Sequence, residues 1–231
     1  MDVPIEKAEL HIKAFSLERT NRFNPTNIQK QIDSFLVEAR AYEHLQRHCP
    51  DEYKNLFPRY FGVLTGIPRD KYPRSCVLRQ RAVVLEMVRP DLASRRILAA
   101  ETTRPFDCVV NNFLEEIRDN RAIQEGGIRS FELDWYKSLL GDRLRRITSV
   151  HSVGLIHGDV LEEHFRLPND FYDTVLYDFS ASYTFMPFVP CRGPKRIRPF
   201  LDIQDLEKEQ AYVTVLRRLV CTPSVLYVRH S

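Results

Sequence analysis

The sequence predicts an α+β fold in which a small sheet with one helix is followed by a mainly helical half. Three observations predict it. Polar and apolar residues alternate from Glu9 to Phe15, the period of a strand with one buried face. Apolar residues recur at three- and four-residue steps in several later segments, the period of helices that bury one stripe. Short apolar runs near Tyr60, Val83, Leu155 and Leu176 are bounded by Pro, Gly and Asp, which suits short strands between turns.

Taken in order, Glu9 to Phe15 is the first strand. Ile28 to Arg47 places Ile28, Ile32, Phe35, Leu36, Ala39, Tyr42 and Leu45 on one helical face. Pro50 and Pro58 break that pattern, and Tyr60 to Leu64 reads as a short strand. Val77 to Val88 reads as a buried strand that leaves the sheet at Arg89-Pro90. Helix follows from about Asp91. Phe106 to Ile117 is one candidate, and Phe131 to Val153 is a stronger one, with Leu133, Tyr136, Leu140, Leu144, Ile147 and Val150 along a stripe. Gly154 closes it as a helix C-terminal glycine. After Ser180 an aromatic-, Pro- and Gly-rich stretch predicts an irregular connection up to Arg198. Asp202 to Arg218 then resumes helical spacing through Leu206, Ala211, Val215 and Leu219.

At 231 residues the chain can bury a substantial core in one domain or two small lobes. Charged residues make up 28% and hydrophobic ones 43%, which excludes the disordered regime. The net charge of +3 carries little information. Basic runs at Arg143 to Arg146 and Arg192 to Arg198 lack interleaved stacking aromatics, so they read as solvated faces and nucleic-acid binding is not expected. Cys49, Cys76, Cys108, Cys191 and Cys221 are odd in number and contain no Cys-x-x-Cys pair. They read as free thiols of a reducing compartment, cytoplasm or nucleus. The charged start Met1 to Lys7 is no secretory signal, and no apolar run is long enough to span a bilayer.

The chemistry-bearing stretch is a pair of segments, Leu155-Ile156-His157-Gly158-Asp159-Val160 and Thr174-Val175-Leu176-Tyr177-Asp178-Phe179-Ser180, with nineteen residues from Asp159 to Asp178. Together with the element order, they resemble the protein-kinase-like superfamily. The His-Gly-Asp wording is closer to aminoglycoside and choline phosphotransferases and related atypical kinases than to most protein kinases. The runs Glu163 to Pro168 and Tyr177 to Ser182 are also similar to kinase-like proteins of filamentous fungi. The resemblance spans roughly residues 9 to 220, with its specific motifs confined to 155–180.

The resemblance implies a two-lobed fold with a shortened N-lobe sheet in residues 1–90 and a truncated, mainly helical C-lobe in 91–231. It implies Asp159 as the group that takes or orients a substrate hydroxyl proton, and Asp178 as the ligand of a metal bound against nucleotide phosphates. Lys13 in the first strand and Glu38 in the first helix match the phosphate-binding lysine and its partner. Glu86 and Met87 fall on the connection whose backbone meets adenine. ATP with Mg or Mn are the implied cofactors.

Four departures bear on activity, and one of them is Ser180, which follows Asp178-Phe179 where the family has Gly. The fifth position after Asp159 is His164, where the family has Asn, and imidazole suits Zn or Mn better than Mg²⁺. The reading of His164 stays open between a weakened metal site, a retuned one and a packing role. Gly158 stands where most protein kinases have Arg, which removes the switch that answers an activation-loop phosphate. Only twelve residues precede Lys13, and no Gly-x-Gly-x-x-Gly occurs. Either Asp202 or Asp205 is the candidate brace of the catalytic loop, with helix capping an equal explanation. The expected function is thus a weak or degenerate kinase-like phosphotransferase. A pseudokinase that binds a protein partner, or nucleotide without turnover, is the alternative, and a truncated gene-model product is the third.

Overall fold

A computed structural model describes residues 10–14, 33–67, 81–88, 106–119, 127–166, 173–184 and 200–221, with side chains not described at 10–14, 107, 200 and 221. Among the described residues the architecture is α+β and mostly helical, with one three-stranded and one two-stranded sheet.

Strand β1 (Leu10–Ala14) and β2 (Tyr60–Thr65) flank β3 (Arg81–Glu86) in an antiparallel sheet of order β1-β3-β2. The central strand is buried on both faces at Ala82, Val83, Val84 and Leu85, which explains its unbroken apolar run. Helix α1 (Ser34–His48) packs on this sheet through Phe35, Ala41, Tyr42 and Leu45. Asp33 caps it: Oδ1 accepts from the Phe35 N–H at 3.2 Å, and Oδ2 pairs with Arg81 of β3 at 2.8 Å. The other end is tied down by His44, whose Nε2–H donates to the Val153 carbonyl at 2.7 Å. The sequence-predicted start at Ile28 lies outside the described residues, as do residues 77–80 of the predicted third strand and the basic run 192–198.

The helical half consists of α2 (Asp107–Asp119), α3 (Ser130–Ser152) and α4 (Phe200–Cys221). Leu139, Leu140, Leu144, Ile147 and Val150 are the fully buried apolar residues of α3 and share one core with Ala211 and Val215 of α4. Burial of one such leucine stabilises the fold by about 1.5–3 kcal/mol. Gly154 has φ 72°, so α3 ends at a left-handed residue as its sequence predicts. Helix α2 inserts Phe113 against Tyr212 edge-on at 5.6 Å.

Two expectations are corrected. The run Arg143 to Arg146 is not a solvated face, because Arg143 and Arg146 are fully buried. Arg143 holds Asp173 through two bonds of 2.6 and 3.0 Å, donates to Thr214 at 2.7 Å and lies over the Phe165 ring. Arg218 of α4 adds a bond of 3.2 Å to Asp173. A buried guanidinium is tolerated only with such pairing. Leu206, expected on the core stripe of α4, is exposed, and its neighbour Glu207 is buried instead.

After α3, β4 (Leu155–Ile156) pairs with β5 (Tyr183–Thr184), a strand inside the predicted irregular connection. No helix among the described residues is long and apolar enough to cross a membrane. Cys49, which is buried, and Cys108, which is exposed, are free thiols.

Candidate functional site

The two motif segments are zipped together by backbone. The Thr174 N–H donates to the Phe165 carbonyl at 2.9 Å, and the Tyr177 N–H to the His164 carbonyl at 3.0 Å. Arg166 and Asp173 form an isolated antiparallel bridge at the open end. Because Asp173 is locked by Arg143 and Arg218, the strand-like run that delivers Asp178 starts from a fixed point.

Two histidines clamp Asp159. The His157 ring donates from Nε2 to the Tyr177 carbonyl at 3.0 Å, which leaves Nδ1 to accept from the Asp159 N–H at 3.4 Å. His157 is thus held as one neutral tautomer. Burial first, opposed by the charge of Glu207, pushes its pKa below the ordinary value. The His164 ring donates from Nδ1 to the Asp159 carbonyl at 2.8 Å. It lies in a shallow 3₁₀ turn, Glu162–His164, and stacks on His157 with centroids 5.6 Å apart. The Asp159 carboxylate itself forms no hydrogen bond or ion pair with a described residue and is partly exposed.

Asp178 has φ 66°, the left-handed region that a side chain disfavours. Asp tolerates it better than most residues through local hydrogen bonding, here from the Ser180 hydroxyl to Oδ1 at 2.7 Å. Oδ2 faces His164 Nε2 at 3.6 Å. A single imidazole therefore spans from Asp159 to Asp178. Strained backbone at a chemistry-bearing residue is a pointer to a site.

Behind Asp178, Phe179 is buried among Tyr42, Phe57 and His157, at centroid distances of 5.1, 6.1 and 4.8 Å. Tyr42 in turn stacks on Tyr60 of β2 at 6.0 Å. A continuous aromatic column thus runs from the sheet, through α1, to the loop that carries Asp159. At its foot the carboxylate of Glu207 accepts from the His157 N–H at 3.2 Å, the Gly158 N–H at 2.6 Å and His151 Nε2 at 2.7 Å. The loop is braced by Glu207, not by Asp202 or Asp205. Both of those are exposed, and Asp205 is paired with Lys208. The signal for Glu207 is spacing: it extends the Ala211, Val215, Leu219 stripe by one step of four.

Gly158 is required by geometry. Its φ is 81°, and a Cβ there would lie 2.1 Å from the Ala181 carbonyl oxygen. No side chain fits between the loop and the segment leading into β5.

Of the remaining candidates, Glu38 is fully buried on α1, one turn before Tyr42. Burial first, and then the Glu38 charge, raise the Tyr42 phenol well above its ordinary pKa, and Asp178 lies beside the same ring. Lys13 is registered opposite Val83 in the β1–β3 ladder, and its side chain lies outside the described residues. Glu86 closes β3: its N–H donates to the Arg59 carbonyl at 2.8 Å, and its carboxylate accepts from the Arg59 N–H at 3.1 Å. Met87 follows with an exposed side chain.

Among the described residues no three His, Cys, Asp or Glu side chains converge as a metal cage. The donors that fit a divalent cation are the Asp178 carboxylate and the His164 lone pair at Nε2, a partial shell that phosphate oxygens and water would complete. Searches for a matching family model, for a matching curated protein and for a matching solved structure each find none.

Proposed function

We propose that the chain is a kinase-like phosphotransferase of two-lobed kinase-like architecture, acting on a hydroxyl acceptor with ATP and a divalent cation. The observation that carries this reading is the His164 ring, which reaches the Asp159 carbonyl at 2.8 Å and the Asp178 carboxylate at 3.6 Å. It holds as neighbours the two aspartates whose motifs give the chain its resemblance. Asp159, with a carboxylate not used for internal bonding among the described residues, takes or orients the acceptor proton. Asp178 holds the cation, which supplies charge neutralisation at the phosphates. Lys13 and Glu38 serve the phosphates, and the backbone after β3, at Glu86 and Met87, serves the adenine.

Nucleotide-binding titrations with Mg²⁺ and Mn²⁺, followed by a turnover assay, test the reading. Asp178→Asn is expected to remove metal-dependent nucleotide binding, whereas Asp159→Asn is expected to spare binding and remove turnover. Folded protein that binds no nucleotide with either metal would sink it.

A second reading, a pseudokinase that binds a protein partner, is favoured by one observation. Ser180, in the place of the family's glycine, donates its hydroxyl to Asp178 Oδ1 at 2.7 Å and so engages an oxygen that a metal would use. Ser180→Gly separates the two readings: stronger metal-dependent nucleotide binding supports the enzyme, and no change supports the pseudokinase.

A further inference from the structure

We infer that the cavity between the C-terminal half of α1 and the chain entering β2 is a binding site for a small aromatic carboxylate. Neither Asp159 nor Asp178 lines it, so the site stands apart from the phosphotransferase chemistry proposed above. Its volume is about 310 Å³, at the lower end of the range of small-molecule sites. One wall is a stripe of α1, with Tyr42, Leu45, Gln46 and Cys49 at the three- and four-residue steps that gather side chains on one helical face. The opposite wall is the connection that runs from Lys54 to Tyr60 at the start of β2.

The base of the cavity selects the body of the ligand. Tyr42, Leu45, Cys49 and Phe57 are buried and Tyr60 is half-buried, so the surface there is apolar and mainly aromatic. Such surface favours an aromatic body, whose ring packs edge-on or offset against the three rings. Burial first pushes the Cys49 thiol above its ordinary pKa, so it lines the wall as a small neutral group and brings no negative charge. Tyr42 and Phe57 also hold Phe179, and Leu56 of the same connection accepts from the Leu176 N–H at 2.8 Å. A filled cavity therefore stabilises the joint between α1 and the segment that carries Asp178.

The rim selects the charge. No carboxylate lines the cavity, whereas two cations, Lys54 and Arg59, and two amides, Gln46 and Asn55, line it from exposed positions. Lys54 is already committed, because its Nζ pairs with Asp51 at 2.6 Å. Glu43, whose charge reaches Tyr60, is likewise paired, with Arg47 at 2.6 Å. The Arg59 side chain makes no hydrogen bond or ion pair with a described residue, while its backbone is fixed to Glu86 through bonds of 3.1 and 2.8 Å. A guanidinium beside an aromatic cavity, on a backbone that cannot drift, offers a carboxylate two parallel charge-assisted hydrogen bonds. Charge at one end and rings at the other define the ligand class.

The test is isothermal titration calorimetry of the purified full chain with benzoate, indole-3-carboxylate and 1-naphthylacetate, each compared with its neutral carboxamide. At least one carboxylate is expected to bind with a single site, about tenfold or more tighter than its amide, and to raise the urea midpoint at saturation. Arg59→Gln should weaken that carboxylate about tenfold or more and erase its advantage over the amide. Gln46→Trp, which fills the cavity from an exposed helix position, should abolish binding of both. Unchanged far-ultraviolet circular dichroism verifies the fold of each variant, and Arg59→Gln alone decides if Gln46→Trp does not fold. No carboxylate binding up to about 5 mM, an amide that binds as well as its acid, or carboxylate affinity untouched by Arg59→Gln would each overturn the inference.

Discussion

Tyr42 of helix α1 presents its ring edge-on to Phe179, with centroids 5.1 Å apart and an interplanar angle of 76°. This contact couples the sheet side of the molecule to the segment that carries Asp178. Phe179→Ala removes the ring shared by Tyr42, Phe57 and His157 and is expected to destabilise the fold by about 3–5 kcal/mol, read as a lower urea midpoint. Tyr42→Phe keeps the ring and deletes a buried hydroxyl that meets no strict hydrogen-bond geometry among the described residues and lies near the Asp178 backbone, so its midpoint should stay within about 1 kcal/mol of wild type. Equal losses in both variants would mean that the hydroxyl, not the ring packing, joins the two sides.

Glu207 should be the most sensitive acidic position of α4. Its carboxylate takes three donors in a buried site, and Glu207→Ala leaves them without an acceptor. A loss of about 3–5 kcal/mol is expected. Asp202→Asn and Asp205→Asn, both at exposed positions, should stay within about 0.5 kcal/mol in the same denaturation series.

Gly158→Ala places a methyl group 2.1 Å from a backbone oxygen at a φ of 81°. The loop must shift, with a stability loss of about 2 kcal/mol or more. A substitution of Gly127, which is exposed, at φ 66° and with open space around its Cβ position, supplies the control for backbone conformation alone. A Gly158→Ala loss no larger than that of Gly127→Ala would show that the Ala181 contact is unimportant.

Acid should destabilise the protein through His157. Burial lowers its folded pKa below the ordinary 6.5, so the unfolded chain takes up the proton first. Stability is full above about 6.5, falls as pH drops below that value, and levels off beneath the folded pKa. A second proton would have to sit on Nδ1, facing the Asp159 N–H. His157→Asn should flatten the urea midpoint between pH 7 and 5, as measured by fluorescence. An unchanged slope would assign the acid sensitivity to another group.

Helices α1, α3 and α4 are legible in the sequence because each repeats apolar residues at its own period, and Gly154 marks a real left-handed helix end. The neighbourhood of His157, Asp159, His164 and Asp178 is legible because local wording carries it. What brings these together is not. The brace at Glu207, the burial of Arg143 and Arg146, and the pairing of β4 with Tyr183–Thr184 depend on contacts between distant segments. A charged residue looks the same in a sequence whether it faces water or a buried counter-ion. Leu206 and Glu207 show this most directly: a one-residue rotation of the helical stripe exchanges a presumed core leucine for the carboxylate that holds the loop.

Helix α1 is pinned at both ends, to β3 by Asp33 and Arg81 and to the end of α3 by His44. A helix fastened in this way behaves as a strut: it cannot tilt about either end without releasing the other. Its amides should therefore exchange with deuterium in the same opening events as those at the end of α3, and cutting either fastening would turn the strut into a hinge.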